Sequence, residues 1–99
     1  MDTITFKIRS NAALQTLHVA PSATPTNGQF VPLVPDDAGM VGEIDLDPGS
    51  YTYLLVLRGG QPGSSWGMSI QRENNPPVPR AGNLNGDGDG GDVGILTVF

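Results

Sequence analysis

A chain of 99 residues is one domain by length, with no room for a cofactor domain beside a substrate domain. Leu, Ile, Val and Phe number 9, 5, 8 and 3, enough for a folded core and above the roughly 20% typical of disordered chains. Ten Asp plus Glu against five Lys plus Arg give a net charge of −5, which argues against nucleic acid as a partner, and the lack of Cys excludes disulfides, zinc–thiolate sites and thiol nucleophiles.

All 14 Gly and 9 Pro residues follow Ala20, a density that leaves no uninterrupted stretch for a stable helix and makes the chain all-β. Before Ala20, Ile4, Phe6 and Ile8 alternate with Thr3, Thr5, Lys7 and Arg9, the period of a strand with one wet face. Residues 11–14 read as one helical turn, and Leu17 and Val19 flank His18 in a second short strand. Residues 21–28, rich in Ser, Thr and Pro, form a loop that closes on an Asn27-Gly28 turn signal. Pro32 interrupts residues 30–34 and removes a ladder donor, so that segment is an edge strand or an extended loop.

Residues 36–39 read as a turn, followed by a strand over 40–46 with Ile44 and Leu46 on one face and Glu43, Asp45 and Asp47 on the other. Those acids share the period of Lys7 and Arg9, which suggests cross-strand charge pairing. Pro48-Gly49 reads as a hairpin connection into residues 50–58, where both faces are mostly apolar, so that strand is central. Trp66, Met68 and Ile70 alternate with Gly67, Ser69 and Gln71, which puts the single Trp in the core and away from a sugar-stacking role. Residues 74–80 read as a polyproline-like connection, residues 82–92 as a Gly- and Asp-rich loop, and residues 93–99 as a last strand. The count, about seven short strands at hairpin spacing, is that of an antiparallel β-sandwich, immunoglobulin-like or prealbumin-like, filling residues 1–99 as a single domain.

Chemistry concentrates in the loop over 83–92. Asn85, Asp87, Asp89 and Asp92 alternate with glycines, a spacing that lets oxygen ligands converge on Ca2+ as a candidate cofactor. The bidentate Glu of an EF-hand is missing, since its place is taken by Leu96, and a solvated hairpin loop is the plainer alternative. Residues 63–67 match the G-x-S-x-G nucleophile elbow around Ser65, but that elbow works at a strand-to-helix turn and here another strand follows. No catalytic residues are assigned. His18 has no second His or Cys nearby in sequence to make a metal site.

The residues Asp36-Asp37-Ala38-Gly39, then Gly42-Glu43-Ile44-Asp45-Leu46-Asp47-Pro48-Gly49-Ser50-Tyr51-Thr52, resemble the prealbumin-like repeats of carboxypeptidase-regulatory and collagen-adhesin B-type domains. In those families a "D-x-x-G, strand, L-x-P-G-x-Y-x-hydrophobic" pattern joins two antiparallel strands of a seven-stranded sandwich. The resemblance implies a non-catalytic accessory or adhesive module, with no family binding residues to carry over.

The expectation is a non-enzymatic binding or adhesion module that recognises a protein partner or glycan. The alternative is a structural protein that self-assembles into a homo-oligomer through edge strands, and a small Ser hydrolase comes third. The longest apolar run, residues 54–57, is far short of the roughly 18 needed to span a bilayer, so no membrane insertion is expected. Residues 1–5 lack the charge and apolar run of a signal peptide, so the protein is expected in the cytoplasm, or outside the cell if a leader has been removed.

Overall fold

In the computed structural model, which describes residues 1–37 and 39–99, nine strands and one 3-10 turn follow one another along the chain. The strands are β1 (Asp2–Arg9), β2 (Leu14–Pro21), β3 (Gln29–Phe30), β4 (Val34–Asp36), β5 (Gly39–Leu46), β6 (Gly49–Arg58), β7 (Ser65–Arg72), β8 (Val78–Asn83) and β9 (Gly90–Val98), with the 3-10 turn at Pro25–Asn27. They form two antiparallel sheets, one in the order β4-β5-β1-β7-β8 and the other in the order β3-β2-β6-β9. The class is the all-β, sandwich-like one that the alternation predicts, with two strands more than the expected seven.

Both extra strands lie in segments that contain proline. Pro32 breaks the ladder at residues 31–33, so the interrupted segment becomes two short strands, β3 on the edge of one sheet and β4 on the edge of the other. The residues between them are held down by Val31, buried, whose N–H donates to Leu17 O at 2.8 Å. The expected polyproline connection is shortened likewise: Val78, Pro79 and Arg80 belong to β8, an edge strand, where a missing N–H is tolerated.

Three further expectations shift. Residues 11–13 make no helical turn; Ala12 N–H donates to Ser10 Oγ at 3.0 Å, and Gln15 Nε2 donates to the carbonyls of Ser10 and Ala12 at 3.2 and 3.1 Å, so side chains satisfy this backbone in place of a helix. Pro48-Gly49 is not a hairpin, because β5 and β6 lie in different sheets; the Tyr51 hydroxyl clasps this crossover by donating to Asp47 O at 2.7 Å. In the β1–β5 register Thr3 faces Asp45, Thr5 faces Glu43 and Lys7 faces Val41, so the acids meet threonines instead of Lys7 and Arg9, and Thr3 Oγ1 donates to Asp45 Oδ1 at 2.6 Å. Of the expected turn at 36–39, Asp37 lies in the β4–β5 turn and Ala38 lies outside the described residues.

The core is where the period of 2 puts it. Ile4, Phe6 and Ile8 from β1, Leu17 and Val19 from β2, Tyr53, Leu55 and Leu57 from β6, and Trp66, Met68 and Ile70 from β7 fill the space between the sheets. The rings of Phe6 and Tyr53 meet across it at 6.5 Å between centroids. Each such side chain contributes roughly 1.5–3 kcal/mol by burial. The strand over 50–58 is central as expected, between β2 and β9.

Candidate functional site

β8 and β9 are the neighbouring edges of the two sheets, drawn close where residues 84–89 join them and parted by a cleft farther along. Hydrogen-bond polarity along β9 follows from one turn contact. Ser22 N–H donates to Ser50 O at 2.9 Å, so Ser50, Thr52 and Leu54 point their backbone groups toward β2, while Tyr51, Tyr53 and Leu55 point theirs toward β9. Tyr51 faces Leu96 and Tyr53 faces Gly94, so Gly94 and Leu96 are bonded to β6. Val93, Ile95 and Thr97 direct their N–H and C=O groups to the open side, where no strand lies among the described residues.

Each end of this open stretch is strapped by an arginine from the other sheet. At one end Arg80 of β8 grips Asp92 of β9 with Nε to Oδ2 at 2.8 Å and Nη2 to Oδ1 at 3.1 Å. The Tyr53 hydroxyl donates to the same Oδ2 at 2.7 Å. The Arg80 hydrogen bond is the main reason that the Asp92 carboxyl is held below its ordinary range, against the opposing effect of burial. Burial, reinforced by the hydrogen bond to Asp92, pushes the Tyr53 phenol up to about 12. Gly94 stands directly over that hydroxyl: a Cβ there would lie 2.6 Å from it, so only glycine leaves the ring its place.

At the other end Arg72 of β7 reaches Thr97 O from Nη1 at 3.4 Å, lies over the Phe99 ring at 4.8 Å, and has Asp2 Oδ2 at 3.7 Å. Between the straps opens a cleft of about 410 Å3, walled by Tyr53, Ile70, Val78 and Leu96. Val78 pairs with buried Ile70 and so faces inward, yet it is 57% exposed, because nothing from the opposite sheet covers it.

The outer face of the four-stranded sheet adjoins this edge. Phe30, His18, Leu54 and Val93 are register partners in one row across all four strands, and Ile95 stands beside them, 74% exposed. Arg58 is the one Lys, Arg, Asp or Glu that alternation places on this face; Asp92, the sheet's acid, turns inward. The His18 ring meets Phe30 edge-on at 5.1 Å.

The candidate calcium residues divide between two tasks. Asn85 Oδ1 accepts the N–H groups of Asp87 and Asp89 at 2.9 and 3.0 Å, and Asp89 Oδ1 accepts Gly59 N–H at 3.3 Å, so this loop is ordered by its own backbone and by residues 59–64. Leu84 inserts beside them into the core. Asp92 belongs instead to the Arg80–Tyr53 network. Among the described residues no group of three or more His, Cys, Asp or Glu side chains is arranged to hold a metal ion. Ser65 opens β7 in the five-stranded sheet while His18 faces outward from the other, so the two are not brought together. Trp66 is buried, as its alternation predicts.

Sequence reasoning did not find Arg72, Arg80 and Tyr53 as a group. Their spacing carries no motif; the only available signal was that Arg80 ends a Pro-rich segment and that Asp92 immediately precedes an alternating apolar run. Comparison with family models, with curated proteins and with solved structures finds no match for this chain.

Proposed function

We propose that this chain is a non-enzymatic interaction module that binds a polypeptide partner by strand addition at β9. The observation that carries the reading is a contrast among the four sheet edges. β3 has 2 residues, β4 has 3 with Pro35 among them, and β8 contains Pro79 and Arg80, all devices that keep an edge from pairing. β9 runs for 9 residues without Pro, Lys or Arg, and its one charge, Asp92, is turned inward and matched by Arg80. Main-chain bonds at such an edge give affinity and the adjoining side chains give selectivity. The resemblance of residues 36–52 to prealbumin-like accessory domains supports a non-catalytic role, and the burial of Trp66 removes the ring on which a glycan reading would rest.

Selection of displayed random nonapeptides on the immobilised protein tests this reading. Enriched peptides are expected to shift the amide signals of Val93, Ile95 and Thr97 and to lose binding to the Ile95→Pro variant, which blocks the edge. Failure to enrich any peptide, or enrichment indifferent to Ile95→Pro, would overturn it.

A further inference from the structure

The free edge of β9 and the cleft beside it are two halves of one site. An added antiparallel strand, the orientation of every pairing in this fold, places its residues opposite Val93, Ile95 and Thr97 outward and those opposite Gly94, Leu96 and Val98 inward. The inward positions fall over Val78, which the protein leaves largely exposed, and beside half-buried Leu96 and the edge of buried Ile70. At Gly94 the Tyr53 ring takes the place of a side chain, and it forms the wall that a residue opposite Gly94 would meet.

Charge distinguishes the two ends of the cleft. Arg80 directs both of its contacts to one carboxylate, Asp92. Arg72 has five donors, yet its contacts are one long hydrogen bond to Thr97 O at 3.4 Å, an Asp2 oxygen at 3.7 Å and the face of Phe99. Beyond this loose ion pair with Asp2 it keeps donors that can take a second carboxylate in a closer, two-pronged geometry.

We infer that the β9 edge takes an extended segment of a partner polypeptide in which an acidic residue is followed two and four positions later by apolar ones, the acid meeting Arg72 and the apolar side chains filling the cleft over Ile70, Val78 and Leu96. The inference rests on the strand-addition reading and adds to it the chemistry of the partner. The order of residues follows from antiparallel pairing: the acid lies opposite Val98, and the apolar residues lie opposite Leu96 and then Gly94. A second copy of β9 is the poorer occupant, because two positions after its only acid, Asp92, it offers Gly94 where the cleft calls for an apolar side chain.

The test is a titration of isotope-labelled full chain with the capped heptapeptide Thr-Glu-Thr-Leu-Thr-Leu-Thr and its Gln-for-Glu counterpart, followed by amide shifts. The Glu peptide is expected to saturate, with shifts at residues 93–99 and at Val78, and to bind about fivefold more tightly than the Gln peptide at low salt. That preference is expected to vanish in Arg72→Met, while the comparison of the two peptides on the unaltered protein needs no variant to fold. Equal binding of the two peptides, with shifts still on β9, overturns the inference and leaves strand addition standing. No shifts on β9 with either peptide, together with no enrichment of random peptides, overturns both. A dimer in sedimentation that Ile95→Pro dissolves also overturns the inference, since the occupant is then a second copy.

Discussion

Arg80 and Asp92 tie the neighbouring edges of the two sheets together through a two-pronged contact, Nε to Oδ2 at 2.8 Å and Nη2 to Oδ1 at 3.1 Å. Because these donors favour the ionised acid, the folded state holds Asp92 below its ordinary value of 3.8. In the unfolded chain the proton is taken up first as pH falls, so this part of the stability is complete above that value and is lost as pH drops through the lower, folded one. Asp92→Asn is expected to lower Tm by about 5 °C at pH 7 and to flatten the acid limb of the stability curve below roughly pH 4. Thermal melts at a series of acid pH values check it; an acid limb unchanged by the substitution would show that other carboxylates set it.

Tyr53 titrates in the opposite sense. Its phenol rises from an ordinary 10.0 to about 12, so the folded state keeps the proton longer than the unfolded chain. The stability contribution is whole below about pH 10 and fades as pH climbs toward about 12. Tyr53→Phe is expected to cost about 1 kcal/mol at neutral pH, from the lost hydrogen bond to Asp92, and to reduce the slope in the alkaline window. Urea unfolding at pH 7 and pH 11, compared between the two proteins, gives both numbers.

The architecture was legible because strands announce themselves locally. The alternation of Ile4, Phe6 and Ile8, and of Trp66, Met68 and Ile70, fixes which residues face inward whatever the order of the strands. Register is not local: Lys7 and Arg9 share a period with Glu43 and Asp45, but the pairing that brings Thr3 opposite Asp45 depends on a connection between distant strands. The same holds for the candidate site. Tyr53, Arg72, Arg80 and Asp92 come from four strands of two sheets and meet only because β8 and β9 end as neighbouring edges. Asn85 was legible as a loop residue, yet its amide oxygen accepts backbone N–H groups, a role that composition suggests no more strongly than metal ligation.

That role makes the Asn85 loop testable apart from Ca2+. Its side chain closes the turn on two N–H groups, and residues 60 and 88 join the loop to its neighbour through Gly60 N–H to Gly88 O at 2.9 Å. Asn85→Ala is expected to destabilise by about 1 kcal/mol, as loss of a comparable side-chain cap does. Melts of chelator-treated protein, with and without millimolar calcium, separate the two roles. With Asp92 held by Arg80, the expected result is the same Tm in both; a rise that Asp87→Ala abolishes would show a calcium loop.

The polarity assigned to β9 predicts opposite fates for two adjacent prolines. Ile95 sends its N–H to the open side, so Ile95→Pro removes no bond to β6 and is expected to cost about 1 kcal/mol, as proline is tolerated at an edge. Leu96 is bonded to Tyr51 and packs against the core, so Leu96→Pro removes a ladder bond and is expected to cost about 3 kcal/mol or more. Urea midpoints of the two variants read the difference directly. If Ile95→Pro proved the more damaging, the free edge would belong to Gly94, Leu96 and Val98, and the residues of an added strand that face the cleft would be the ones hydrogen-bonded to β9.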